Sequence, residues 1–245
     1  TLRETAVQYE RLKRSSEVFE GKMRLDVPMT ALLHRLDEVV KAHECYMAGQ
    51  LTRNGVTYRH GRARLLSPHE VQSETVDGAC QTLRAETIVL ATGSRPSSIP
   101  GIPIDHEHVL DSDSILSMIY LPRSLTILGG GVIACEYAAT FALLGVEVTI
   151  IDRAKRPLPF MDQEIVEVFQ RSIERQGGRF YSGHTVTEVA WDGVSSVVAR
   201  LANGMAVKSE KMLVALGRQP NVEELNLEAA GLSLDEKGHI PVTDH

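Results

Sequence analysis

The chain has 245 residues, enough for one large domain or two smaller ones with cores of their own. Hydrophobic residues make up 43% and charged residues 24%, an ordinary globular balance, and a net charge of −6 without a basic patch argues against a nucleic-acid partner. No apolar run approaches the roughly 18–20 residues that cross a bilayer, and no charged-then-apolar start marks a signal peptide.

In chain order, residues 1–20 read as a polar helix that loosens toward its end. From Met29 to about Arg53, Leu32, Leu33, Leu36, Val39 and Val40 recur at helical spacing, and Asn54-Gly55 supplies a left-handed stop. Residues 56–86 change to short segments separated by Ser-Pro and Asp-Gly turns, an antiparallel meander. Ile88, Val89, Leu90 and Ala91 form an apolar run that predicts a strand, and the prolines that follow place a domain boundary near Arg95.

Beyond that boundary the pattern alternates. Strand 125–128, helix 132–144, strand 146–151, helix 162–176 and strand 179–182 predict two successive βαβ units, which cross over right-handed and build a parallel sheet. A second meander (184–208) precedes a last apolar strand, 211–217, and the remainder is mixed and polar. The chain begins without methionine and ends without a stop signal, so it is expected to be the middle of a longer protein.

The chemistry concentrates at residues 125–152. Gly129-Gly130-Gly131 follow an apolar strand directly and open a helix directly, the context that separates a dinucleotide turn from an ordinary glycine turn. Gly129 permits the tight turn, Gly131 lets a pyrophosphate approach the backbone, and the small Ala134 keeps helix and strand close. The helix start, at Val132 and Ile133, then offers free N–H groups and a partial positive charge to the phosphates. Asp152, 21 residues after Gly131, stands where an acid accepts from an adenosine ribose. That acid favours NAD, because it repels a 2′-phosphate by roughly 4 kcal/mol per unit charge at a surface-like dielectric. Arg153, Lys155 and Arg156 follow at once and either hold such a phosphate or form a solvated loop. Binding of both NAD and NADP is the expectation.

Other residues carry less. His106 and His108 lie in a polar turn without further ligands, which reads as loop and not metal site. Asp111, Ser112 and Asp113 read as helix caps. Cys135 reads as a small packing residue, and Trp191, the sole tryptophan, as structural. The three separated cysteines, Cys45, Cys80 and Cys135, form neither a metal spacing nor a disulfide scaffold, so a reducing cytoplasm is expected.

Three motifs in order, ATGSRP (91–96), GGGVIACEYA (129–138) and LVALGRQPN (213–221), resemble the FAD-dependent pyridine nucleotide-disulfide oxidoreductases. The segments HVLDSDSIL (108–116), LPRSL (121–125) and PFMDQEI (159–165) look like its soluble pyridine nucleotide transhydrogenase branch. The resemblance covers essentially the whole chain. It implies an α/β architecture: a Rossmann-like NAD(P)-binding domain with a β-meander over residues 95–219, flanked by partial FAD-domain segments. Residues 1–94 correspond to the latter part of the first segment, and 220–245 to the start of the return. Ala91, Thr92 and Gly93 are then expected near the flavin, Gly217 and Arg218 at the cofactor, and Glu136 at the nicotinamide end. None of the three cysteines matches the family's redox disulfide.

The activity so implied is hydride transfer between NADPH and NAD through FAD, in a homo-oligomeric parent. No catalytic side-chain pair is required of this segment, since flavin carries the chemistry. Lipoamide dehydrogenase, or another flavin disulfide reductase, stays open as the alternative. So does a catalytically silent nucleotide-binding module, and the chain by itself is expected to show no turnover.

Overall fold

The computed structural model describes residues 2–18 and 29–242, with side chains at 2–11 and 34–242. The loosened stretch expected up to residue 20 falls partly outside this range, as do the side chains of Leu32 and Leu33. The chain divides into two compact units: Thr1–Glu44 with Ser98–Gly217, and Cys45–Ser97 with Arg218–His245.

Helix α1 (Leu2–Val18) opens the chain and α2 (Met29–Arg53) follows. Helix α2 stops where Asn54-Gly55 predicts: Gly55 takes φ +66° and the Val56 N–H closes back on the Leu51 carbonyl at 2.9 Å. Its apolar stripe stays open, with Val39 and Val40 about half exposed. Three antiparallel strands then form the first meander: β1 (Arg62–Ser67), β2 (Glu70–Glu74) and β3 (Cys80–Arg84).

The strand expected at 88–91 is extended but unpaired. Among the described residues no strand runs beside it, and Val89 is 82% exposed. A strand is a relation to a neighbour, and the apolar run alone does not supply one. Pairing starts three residues later, at β4 (Ser94–Pro96).

The larger unit is built on β5 (Val109–Asp111), β6 (Ser124–Leu128), α3 (Val132–Leu143), β7 (Glu147–Asp152), α4 (Gln163–Arg175) and β8 (Arg179–Ser182). The second meander is β9 (Val186–Trp191), β10 (Val197–Leu201) and β11 (Ala206–Ser209), and β12 (Lys211–Val214) returns to the main sheet. That sheet is parallel throughout, in the order β5-β12-β6-β7-β8. Both faces are covered, which explains its near-continuous apolar strands. Leu110, Leu125, Ile127, Val148, Ile150 and Leu213 point to the helical side, packing with Ala134, Ala138 and Phe141 of α3 and with Leu2 and Ala6 of α1. Val109, Leu128, Ile151, Met212 and Val214 point the other way, onto Val189, Val197, Ala199 and Leu201 of the meander. The last strand is shorter than its apolar run, ending at Val214.

Strand β5 has no period a three-residue sequence could announce. A short 3-10 turn at Ser114–Ser117 follows it, and Asp111 caps its start: its Oδ1 accepts from the N–H groups of Asp113 and Ser114 at 3.0 and 2.7 Å, whereas the Asp113 side chain makes no cap bond.

In the smaller unit β13 (Arg218–Pro220) pairs antiparallel with β4. Leu65, Val222, Leu225 and Leu227 form its core. The Glu223 carboxylate accepts from the Arg95 guanidinium, at 3.1 Å for one pair, and that bond holds its pKa down at about 2.

Candidate functional site: a glycine turn at a helix start

Strand β6 ends at Leu128, and the chain must reverse within three residues to start α3. Gly129 does so at φ +110°, with its N–H on the Ile151 carbonyl at 2.8 Å. A Cβ there would stand 2.5 Å from the Ala215 carbonyl oxygen, so two independent constraints demand glycine. At Gly130 a Cβ would meet the Asp152 carboxylate and the backbone of Pro157. Gly131 differs: its φ is −77°, and a Cβ would meet nothing within 4 Å. The space over the helix start is open.

Gly131 is the N-cap of α3, and no side chain caps it. The first amides, at Val132 and Ile133, therefore lack the internal acceptor that Ser or Asp supplies elsewhere, and α4 shows the contrast, with Asp162 accepting from Glu164 N–H at 2.8 Å. An uncapped N-terminus beside open space is suited to an anion. Ala134, fully buried, lets α3 approach the sheet.

Asp152 ends β7 half-buried, its carboxylate leaning over Gly130. Among the described residues that carboxylate has neither hydrogen bond nor ion pair, so it keeps its full capacity to accept. Arg153 and Lys155 are exposed and likewise without a partner among the described residues. Arg156 is not free. Its Nη2 donates to the carbonyls of Pro159 and Met161 at 3.0 and 2.9 Å.

Glu136 lies on the exposed face of α3, its Oε1 3.6 Å from the Arg3 guanidinium. Cys135 sits behind the turn, with Sγ 3.7 Å from the Gly130 carbonyl. Burial, then the charges of Asp152 and Glu136, push its thiol up to about 12. Such a thiol is protonated and inert. Thiol titration of the folded chain with a disulfide reagent is expected to register Cys45 and Cys80 quickly and Cys135 only after denaturation; three fast thiols would contradict this.

The remaining sequence-predicted positions gather elsewhere. Gly217 has φ +117° at the end of the larger unit. In the smaller unit, Asn221 ties down the flavin-motif segment: its N–H bonds the Gly93 carbonyl and its amide the Thr92 carbonyl, both at 3.0 Å. Ala91, Thr92 and Gly93 are exposed, with Gly93 at φ +68°. Arg218 spends its guanidinium on Ser94, Nε to Oγ at 2.9 Å and Nη2 to the carbonyl at 2.6 Å. His108 stacks on Trp191 at 3.7 Å between centroids, so both serve packing. Sequence reasoning missed the loop 157–161 that backs the turn, where Leu158 at φ +46° donates its N–H to the Gly130 carbonyl at 2.8 Å. Its only signal was the pair of prolines, Pro157 and Pro159.

A parallel five-stranded sheet with a glycine turn at the start of its central crossover helix defines a Rossmann-like α/β protein. The sequence matches the family described as pyridine nucleotide-disulphide oxidoreductase over residues 3–245, and the chain belongs to it. Members of that family are oxidoreductases that use FAD and NAD(P).

The chain is similar to soluble pyridine nucleotide transhydrogenase of Mycobacterium bovis (strain BCG / Pasteur 1173P2), 35% identical over 249 aligned residues, covering all of this chain and 52% of the relative. It is also similar to mitochondrial dihydrolipoyl dehydrogenase 1 of Arabidopsis thaliana, 35% identical over 224 residues, 90% of this chain and 44% of the relative. Among solved structures, the Cu(II) complex of RclA, the HOCl-induced flavoprotein disulfide reductase of Escherichia coli, superposes with a TM-score of 0.79 at 27% identity, covering 86% of this chain and 48% of that one. The chain thus spans about half the length of the curated relatives it matches. Among the described residues no helix is long and apolar enough to cross a membrane.

Proposed function

We propose that this chain is the NAD(P)-binding portion of a flavoprotein that moves hydride between NADPH and NAD, as a soluble, cytoplasmic, homo-oligomeric transhydrogenase. Residues 95–219 form its nucleotide domain, and 1–94 with 220–245 are parts of its FAD domain. The observation that carries the reading is the half-buried Asp152 carboxylate over the glycine turn, without a partner among the described residues, beside an uncapped helix start.

The residues fit the group they would hold. The α3 amides at Val132 and Ile133 would bind the pyrophosphate, which Gly131 leaves room to approach. Asp152 would accept from the adenosine ribose. Glu136, on the exposed face of the same helix, would orient the nicotinamide end once released from Arg3. The segment Ala91–Gly93, small, exposed and braced by Asn221, would lie along the flavin. Flavin, when bound, supplies the hydride-accepting chemistry. This chain's own part is to hold one nucleotide in register and keep water from it.

The similarity to dihydrolipoyl dehydrogenase at the same identity supports a second reading, a flavin disulfide reductase. The nucleotide site would be the same in both.

Titrating the chain with NADH and NADPH is expected to show binding of both. Asp152→Ala should weaken NADH by about tenfold, one charge-assisted hydrogen bond, and leave NADPH equal or tighter. No binding of either nucleotide, or an unchanged NADH affinity in Asp152→Ala, would overturn the site.

A further inference from the structure

We infer that Arg156 is a positioning residue of the glycine turn and not a ligand of a cofactor phosphate. The inference rests on the dinucleotide reading of the turn but assigns its three neighbouring cations separate tasks.

The guanidinium is already committed. Its Nη2 donates to two carbonyls of its own loop, Pro159 and Met161, and its Nη1 is buried with no partner among the described residues. Of the two terminal nitrogens that would fork onto a phosphate, one is thus bonded to the loop and the other is buried. Those two bonds have a structural object. Between Arg156 and Met161 the chain passes through Leu158, a non-glycine residue at φ +46°, a conformation such residues hold only when their surroundings fix it. The Met161 N–H closes on the Leu158 carbonyl at 3.0 Å, so the residues that Arg156 grips are those that complete the Leu158 turn.

That turn acts on the site directly. In its left-handed conformation Leu158 aims its N–H at the Gly130 carbonyl, 2.8 Å away, and Pro157 packs where a Gly130 side chain would be. Gly130 is thus held from outside by the 157–161 loop, and the loop by Arg156. The path runs guanidinium, Met161 and Pro159 carbonyls, Leu158 amide, Gly130 carbonyl, and so to the uncapped amides beyond Gly131. Discrimination between NADH and NADPH falls instead to Arg153 and Lys155, exposed and without a partner among the described residues, opposed by Asp152.

The use of a single terminal nitrogen has a consequence for substitution. Lysine normally fails to replace arginine where both arms of the fork bind. Here one donor group serves both carbonyls, so a lysine ammonium, with three donors, meets the same demand.

The experiment is equilibrium titration of the full chain with NADH and, separately, NADPH, for wild type, Arg156→Ala, Arg156→Lys and the double variant Arg153→Ala/Lys155→Ala. Amide exchange at Leu158 is measured in parallel. Arg156→Ala is expected to weaken both nucleotides by one common factor of about tenfold and to release Leu158 protection. Arg156→Lys should keep both affinities within about threefold of wild type, and the double variant should lose NADPH alone. Loss of NADPH with NADH unchanged, in Arg156→Ala or in Arg156→Lys if the alanine variant does not fold, would show a phosphate ligand and overturn the inference. Unchanged Leu158 protection in Arg156→Ala would overturn it as well. Failure of the wild type to bind either nucleotide is a separate result, which removes the dinucleotide reading itself.

Discussion

Gly129→Ala is expected to destabilise the larger unit by roughly 2–6 kcal/mol and to abolish nucleotide binding. Two costs combine. At φ +110° an L residue is strained by about 1–3 kcal/mol. The new Cβ, built 2.5 Å from the Ala215 carbonyl oxygen, also forces β6 and the segment after β12 apart, an overpacking cost of about 1–3 kcal/mol. Urea denaturation followed by far-ultraviolet circular dichroism measures the first effect and nucleotide titration the second. Gly131→Ala is the control. Its φ of −77° suits alanine and its Cβ meets nothing, so stability should hold within about 0.5 kcal/mol while affinity falls. If the two variants unfold alike, the conformational reading of Gly129 is wrong.

Phe141→Ala should cost roughly 3–5 kcal/mol, the usual range for a fully buried aromatic truncated to alanine. Phe141 has no exposed surface and lies in the cluster that joins α3 to the sheet, with the Tyr137 ring 6.3 Å away. Its carbonyl also accepts from the Val146 N–H at 3.0 Å, where the chain turns from α3 into β7. Losing the ring therefore loosens the helix that carries the glycine turn, though the residue touches no ligand-facing group. Phe141→Leu, closer in volume, should cost less than about 1.5 kcal/mol. A loss under about 1 kcal/mol for the alanine variant would mean that α3 is held chiefly by other contacts.

The β6–α3–β7 core was legible because pattern and context agree there. Apolar strands buried on both faces give unbroken runs, and glycine at a strand-to-helix junction has few other uses. Where pairing partners decide, the sequence says less. Residues 88–91 carry the composition of a strand but lack a neighbour among the described residues, whereas β5 is paired yet too short to show a period. At the site itself, residue type proved coarser than geometry. Arg153, Lys155 and Arg156 look equivalent in sequence, and only the left-handed turn at Leu158, made without glycine, folds one inward and leaves two outside. Asp111, Ser112 and Asp113 show the same limit: all three are capping residue types, and backbone direction selects one.

The short ribbon of β4 and β13 has a topological consequence. Arg218 and Pro96 face each other across it, so the stretch 98–217 departs from and rejoins the smaller unit at adjacent positions. From the ribbon, residues 98–217 leave and return as one excursion with its ends already stapled together, while residues 1–44 join the same larger unit from the other end of the chain. Closing a gap of that length in a disordered chain is costly in entropy, but it costs little once the excursion has folded and delivers its own ends side by side. The architecture is thus a splice: another body with neighbouring termini could occupy the same gap without rewriting the strands that flank it.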